Sequence, residues 1–310
     1  DLQKATYLAL QNEIAAIVYS NIKSGEIPIN DVYTALIGNS VINTEHFSKA
    51  KASDTEKNVL SVFKSRQKTT LGKIKQELTS SPEALNTMSD EVLDEFTYII
   101  SMLKDDQVLL KNEIDTSDSV YQKWKNQKIS PKEYLSYCIT QHWIDISQLN
   151  VDEKYADSTE VYDALCKYIL KNIKTDTEFS KIIYQYMITR GEISPRQLCL
   201  ILFDQGVLDY DDATVNKLKN GSLSPRDFLM KKIYNIEITP AQLALEPCTG
   251  SCVVTDEKTG EIRAMVSYPG YDSNKLANGV DSEYFASLQH DKSFPLLNYA
   301  TQQKTAPGST

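Results

Sequence analysis

The 310-residue sequence contains no apolar run near the ~20 residues that a membrane-spanning helix needs. No signal-peptide pattern precedes Asp1. Only 11 Gly and 2 Trp are present against 18 Tyr. That balance argues against a barrel or a sandwich and for helices packed through tyrosine. An excess of positive charge is missing too. Lys and Arg number 33 against 42 Asp and Glu, a formal net charge of -9, which argues against nucleic acid or anionic lipid as a main partner. The cysteines, Cys138, Cys166, Cys199, Cys248 and Cys252, are odd in number and scattered, so they form no disulfide framework. Cys248 and Cys252 are the one close pair, and a single Cys-x3-Cys without a nearby His falls short of a zinc site. His46, His142 and His290 have no ligand spacing and are read as surface or packing residues. No metal and no cofactor is expected. The sequence also lacks an initiating Met, so Asp1 is expected to be a cut in a longer protein whose anchoring segment is absent.

What is there is ordinary for a soluble globular chain: 41% hydrophobic and 24% charged residues. The length allows one or two full cores. Leu2 to Ile22 reads as one helix, with Leu10, Ile14, Ile17 and Val18 on a helical stripe, ended by Ser24-Gly25. Helical patterning then dominates to about residue 246. Clear segments are Asn58 to Leu78, Glu91 to Leu110, Val161 to Ile173 and Phe179 to Thr189.

A short pattern recurs in this region. It reads Ile129-Ser130-Pro131-Lys132-Glu133, Ile193-Ser194-Pro195-Arg196-Gln197, Leu223-Ser224-Pro225-Arg226-Asp227 and Ile238-Thr239-Pro240-Ala241-Gln242. Each copy sets a hydroxyl at an N-cap and Pro at the first helical position, where a missing N–H costs nothing. Glu133, Gln197 and Gln242 are expected to close capping boxes, whereas Asp227 is not. The copies are irregularly spaced, so they predict short antiparallel helical hairpins rather than a solenoid.

The composition changes at Leu245-Glu246-Pro247. Ser251 to Asp256 and Glu261 to Tyr268 alternate in the manner of strands and are joined by Glu257-Lys258-Thr259-Gly260, predicting a hairpin with Gly260 at a positive-φ position. Residues 271–297 are polar and turn-rich and are expected to form a long loop. In Ala306-Pro307-Gly308-Ser309-Thr310, the Pro-Gly turn would place Ser309 at the start of a new helix, where the dipole favours an oxyanion.

Three stretches together resemble the transpeptidase domain of class B penicillin-binding proteins. Asp1-Leu2-Gln3-Lys4-Ala5 is similar to the start of that domain. Val253 to Pro269 resembles its first two strands. Asp291-Lys292-Ser293-Phe294-Pro295-Leu296-Leu297-Asn298-Tyr299-Ala300 and Ala306 to Thr310 resemble the approach to the catalytic Ser-x-x-Lys, although Asp291 is spaced one residue more loosely. The resemblance covers about residues 1–22 and 250–310. It implies a chain that is mainly α, with a β-hairpin belonging to an α+β transpeptidase fold of the penicillin-binding protein and β-lactamase kind. It also implies three segments: 1–23 as the first helix, 247–310 as the first strands up to the nucleophile, and 24–246 as a helical-bundle insertion of the kind seen in some Gram-positive members.

By the same resemblance Ser309 is the nucleophile, and the partner Lys belongs three positions further on. Substrates would be peptidoglycan stem peptides ending in D-Ala-D-Ala, with β-lactams as their mimics. The parent would sit on the extracytoplasmic face of the cell membrane. Asp291 and Asn298 are candidates for shaping the loop beside the site, or serve only as a turn cap and a satisfied loop amide. Lys258-Thr259-Gly260 spells a downstream family motif but precedes the nucleophile, so it is read as turn chemistry. With no Lys at the required place, the chain alone is expected to be inactive. The other reading of a different class is a helical interaction module that docks cell-envelope assembly partners without catalysis.

Overall fold

The structure, a computed structural model, describes residues 1–80, 83–151, 156–277 and 279–304. Helices α1 (Leu2–Ser24), α2 (Ile29–Gly38) and α3 (Asp54–Thr79) come first. Five more follow: α4 (Asp90–Asp105), α5 (Ser119–Lys125), α6 (Pro131–Thr140), α7 (Ser158–Ile173) and α8 (Thr177–Thr189). Next are α9 (Pro195–Asp204), α10 (Asp212–Asn220), α11 (Pro225–Tyr234) and α12 (Pro240–Leu243). Strands β1 (Gly250–Thr255) and β2 (Ile262–Tyr268) then pair antiparallel, and α13 (Ser282–His290) and α14 (Tyr299–Gln302) follow. The fold is thus mainly helical with one hairpin, as the sequence implies.

The Ser/Thr-Pro pattern starts four helices. Ser130, Ser194, Ser224 and Thr239 each accept from the backbone N–H of the residue at the third helical position. Reciprocal capping boxes form at Ser194/Gln197 and Thr239/Gln242. Glu133 makes no such return bond, contrary to expectation, and its exposed side chain stays in water. Asp227, one methylene shorter, instead accepts from the Ser224 hydroxyl at 2.8 Å. A further box, Asp157 with Glu160, starts α7 without a proline.

Helix ends are just as regular. The chain leaves its helices through left-handed residues, including Gly25, Gly191 and Gly221 and also Gln107, Gln127 and Ile236. An apolar residue then returns its N–H to the last turn: Ile27 to Asn21 O, Leu223 to Lys217 O and Ile238 to Lys232 O, all at 3.0–3.2 Å. This pairing satisfies helix-terminal carbonyls and seats the apolar side chain under the helix it has just left.

Three expectations change. The helix expected over Glu91 to Leu110 stops at Asp105, because Gln107 at φ 60 turns the chain and Leu109 bridges to Ile144. Val108 and Leu109 keep the helical periodicity only because both are fully buried beyond the turn. Residues 271–297, expected as loop, contain α13, capped by Asp281 and burying only Leu288; a helix with so small an apolar face leaves little periodicity to read. Ile17 is 38% exposed, and Ala15 and Ile22 take its place beside Ile14 and Val18 on the buried stripe of α1.

Two compact units can be distinguished: Asp1–Val59 with Ile188–Thr310, and Leu60–Met187. Residues 24–59 and 188–246 therefore fold in the same unit as the hairpin. In this first unit α1 packs against both strands and α11, while α9 meets α2, α10 and α11. The Arg226 guanidinium caps α1 by donating to Ile22 O at 3.1 Å. Fully buried Glu56 accepts from the Ser53 amide, Gln205 Nε2 and the His46 ring, each at 2.7 Å. These bonds hold its carboxyl below the usual range against the opposing effect of burial.

The second unit is fastened by tyrosines. Tyr98, Tyr137, Tyr168 and Tyr186 donate to Asp176, Asp118, Asp106 and Asp94 at 2.7–2.9 Å. Rings stack at Phe63/Tyr184 and Trp124/Tyr134. Arg66 pairs with buried Glu91 through both carboxylate oxygens at 2.8 and 3.0 Å. One turn along α4, Glu95 is 2% exposed; burial, reinforced by the neighbouring Glu91 charge, pushes its carboxyl up to about 8.

A carboxyl raised in the folded state holds a proton that the unfolded chain releases at an ordinary pH. Its contribution is therefore complete below about 4.5 and is lost as pH rises to about 8. Glu95→Gln is expected to flatten the fall in melting temperature across that window and to melt higher than the parent at its upper end. Identical pH profiles for the two proteins would contradict the assignment.

Candidate functional site

The candidate site grows from the first turns of α1. Asp1 caps the helix by accepting from the Gln3 amide at 3.0 Å, which fixes the direction of Gln3. The Gln3 side chain then pairs with the backbone of Met265 in β2: Nε2 donates to Met265 O at 2.5 Å, and Met265 N–H donates to Oε1 at 2.9 Å. A side-chain amide thereby does for β2 what a neighbouring strand's peptide group would do.

Below this contact, Tyr268 (1% exposed) meets Ile14 and Ala241, with Tyr7 and Leu10 packed alongside. The Tyr7 and Tyr268 rings lie 5.7 Å apart, and the Tyr7 hydroxyl accepts from Gly270 N–H at 3.4 Å. Gly250 opens β1 where α1 comes closest. A Cβ there would stand 3.1 Å from Ile14 Cδ1 and 3.3 Å from Leu10 Cδ1, so a side chain at 250 would make both side-chain ends shift by a few tenths of an ångström.

The hairpin turn is built from its own polar groups. Asp256 accepts from the Lys258 and Thr259 amides, which lower its carboxyl pKa, and Gly260 at φ 74 donates to Asp256 O. Lys258-Thr259-Gly260 thus lies in the turn between β1 and β2, with Gly260 in the left-handed conformation expected of it. The register shifts between Val254 and Thr255, the bulge that such a turn requires.

Beyond α13 the chain returns to β2. Asp291 accepts from the Ser293 amide and hydroxyl at 2.8 and 2.5 Å. Asn298 caps α14 by accepting from Ala300 N–H at 3.1 Å. Both residues act as local caps on the segment they were expected to shape. Tyr299 is 7% exposed and donates its hydroxyl to Ser293 O at 2.8 Å; burial raises its pKa. The Ser267 hydroxyl of β2 donates to Leu297 O at 3.1 Å and accepts Tyr299 N–H at 3.0 Å. The candidate nucleophile Ser309 lies outside the described residues.

Neither Gln3 as a strand substitute nor Ser267 as a clasp stands out in the sequence, where each is one polar residue among many. The signal lay in their context: Gln3 in the resembling stretch Asp1-Leu2-Gln3-Lys4-Ala5, and Ser267 alternating with core-facing Val266 and Tyr268 on a strand. Cys248 is buried, and burial with Glu246 nearby pushes its thiol up to about 11. Among the described residues no group of three or more His, Cys, Asp or Glu could hold a metal ion. His46 is bound to Glu56, and His290 lies 2.7 Å from Ala286 O. No described helix is long and apolar enough to cross a membrane.

Residues 250–310 match the penicillin binding protein transpeptidase domain. Peptidoglycan D,D-transpeptidase MrdA of Escherichia coli K12 is 45% identical over 58 residues, 19% of this chain and 9% of that protein. Peptidoglycan D,D-transpeptidase PbpA of Mycolicibacterium smegmatis is 43% identical over 67 residues, 21% and 14% respectively. MrdA of Acinetobacter baumannii is 33% identical over 84 residues, 27% of this chain and 12% of that protein. The chain therefore spans only about a tenth of these relatives' length. No solved structure matches it significantly. Residues 250–310 thus match a penicillin-binding protein transpeptidase domain, with partial similarity to the class B D,D-transpeptidases.

If the Gln3 amide stands in for a strand, Gln3→Ala is expected to cost about 1 kcal/mol in a denaturant melt and to speed amide exchange selectively at Met265. Gln3→Glu, which keeps the acceptor and loses the donor, should leave Met265 better protected than Gln3→Ala does. Unchanged exchange at Met265 in both variants would overturn the contact.

Proposed function

We propose that the chain is part of a serine D,D-transpeptidase that cross-links peptidoglycan stem peptides, with Ser309 as its nucleophile. The match of residues 250–310 to the transpeptidase domain carries this reading, and Ser309 lies within the matched stretch. The printed activity of the relatives supports the substrate class. The docking of α1 on the hairpin supports it as well, because it draws the resembling stretch 1–5 onto residues 250–268 despite the intervening chain.

The chemistry follows from what a serine ester can do. A base takes the Ser309 proton, and Oγ attacks the carbonyl of the penultimate D-Ala. The C–O ester forms as the C–N bond to the terminal D-Ala breaks, and the departing amine takes up the proton. Backbone N–H groups, one of them the serine's own, hold the oxyanion meanwhile. The amine of a second stem peptide then attacks the ester, forming the cross-link and returning the proton to Ser309. A β-lactam undergoes the same attack, but its leaving nitrogen stays tethered, so the ester persists. The base in this reading is the motif Lys three positions beyond Ser309.

The same proposal divides the chain into 1–23 and 247–310 from the transpeptidase domain and 24–246 as a helical insertion. The protein would act on the extracytoplasmic face of the cell membrane. The insertion would dock cell-envelope assembly partners, to which the exposed rings of Tyr210 and Tyr234 are available.

Incubating the full-length protein that carries this chain with fluorescent penicillin is expected to label it covalently, and Ser309→Ala to abolish the label. A folded protein left unlabelled at several pH values would sink the enzyme reading and leave the docking role standing alone.

A further inference from the structure

We propose that Ser267 is a positioning residue for acylation at Ser309, an inference that rests on the transpeptidase reading above. Its hydroxyl is used twice, donating to Leu297 O and accepting from Tyr299 N–H at 3.1 and 3.0 Å, so it grips the chain on both sides of Asn298. Asn298 begins α14, the last described helix before the Ser309 stretch.

Helix α14 also packs against both β1 and β2, but the exposed part of the approach before it has less apolar support. Phe294, Leu296 and Leu297 are 63%, 38% and 36% exposed, so these three side chains contribute modest burial. Ser293, Pro295 and Tyr299 are buried, and the Tyr299 hydroxyl bonds to Ser293 O rather than to β2. Ser267 thus provides the polar link from segment to strand. Its strand neighbours are fixed: Val266 and Tyr268 are buried on the opposite face, and Met265 is paired by Gln3. The clasp therefore connects the stretch approaching Ser309 to a strand that α1 already holds in place.

The role is one of positioning. Ser267 sits near the end of β2 with both hydrogen-bonding functions of its hydroxyl occupied, so it is not itself an attacking group. Removing the hydroxyl leaves Tyr299 N–H and Leu297 O without this partner and frees the approach to shift. A displacement of about 1 Å at a reacting group can cost roughly 100-fold in rate.

The test is penicillin acylation of the full-length protein across a range of penicillin concentrations, resolving the limiting acylation rate constant from the half-saturating concentration. Ser267→Ala is expected to lower the rate constant roughly 10- to 100-fold with little change in half-saturation. Ser267→Thr keeps the hydroxyl and should stay within about 3-fold of the parent. If the Ala protein does not fold, as judged by its thermal melt, Ser267→Cys replaces it. The longer, weaker bonds of a thiol should still cost roughly 10-fold. Equal rate constants in parent and variant overturn the inference while the nucleophile assignment stands, as does a loss confined to the labelled fraction of molecules. An unlabelled parent overturns the nucleophile assignment and this inference with it.

Discussion

The hydrogen-bonding demand of β2 organises the candidate site. A strand must satisfy its backbone polar groups, and an unmet one costs about as much as a lost hydrogen bond. The described sheet has only two strands. Met265 finds its partner in the Gln3 side chain. The same strand's Ser267 takes on two backbone groups of the approach segment. Two polar side chains, one donated to the strand and one offered by it, thus hold a helix, a hairpin and a returning loop together. The apolar contact beneath them, Tyr268 against Ile14 and Ala241, supplies burial but little direction. The amide and the hydroxyl set the register.

This arrangement explains how residues so far apart in the chain form one surface. The stretch 24–246 leaves from the end of α1 and returns at Pro247, just before β1. Its helices start and stop on repeated local signals: a Ser/Thr-Pro cap, a left-handed exit and an apolar residue folded back under the last turn. Such hairpins are locally determined and need no distant partner to define them. A long helical stretch can therefore stand between α1 and β1 without the hairpin losing its contact with α1.

Much of the fold was legible for the same reason. The four Ser/Thr-Pro starts, the hairpin and the positive φ of Gly260 all rest on signals within a few residues. What was missed rests on a distant partner or on a weak local signal. Gln107 takes a left-handed conformation without being Gly or Asn, because Val108 and Leu109 are drawn into the core beyond it. Helix α13 buries only Leu288, so its apolar periodicity was too faint to read. Glu133 sits where a capping box is expected but does not close it. The site divides in the same way. The stretches around it were recognisable as sequence, whereas the contacts that join them, Gln3 to Met265 and Ser267 to Tyr299, are not visible in any one-dimensional pattern.

In the proposed function Ser309 Oγ is the attacking group, and the hairpin with its two polar clasps holds the stretch that leads toward it. The most direct measurement is peptide mapping by mass spectrometry after the full-length protein has reacted with a β-lactam. The account predicts one added β-lactam mass, carried by the peptide containing Ala306-Pro307-Gly308-Ser309-Thr310. An adduct on any other peptide, or none on a folded protein, would contradict it.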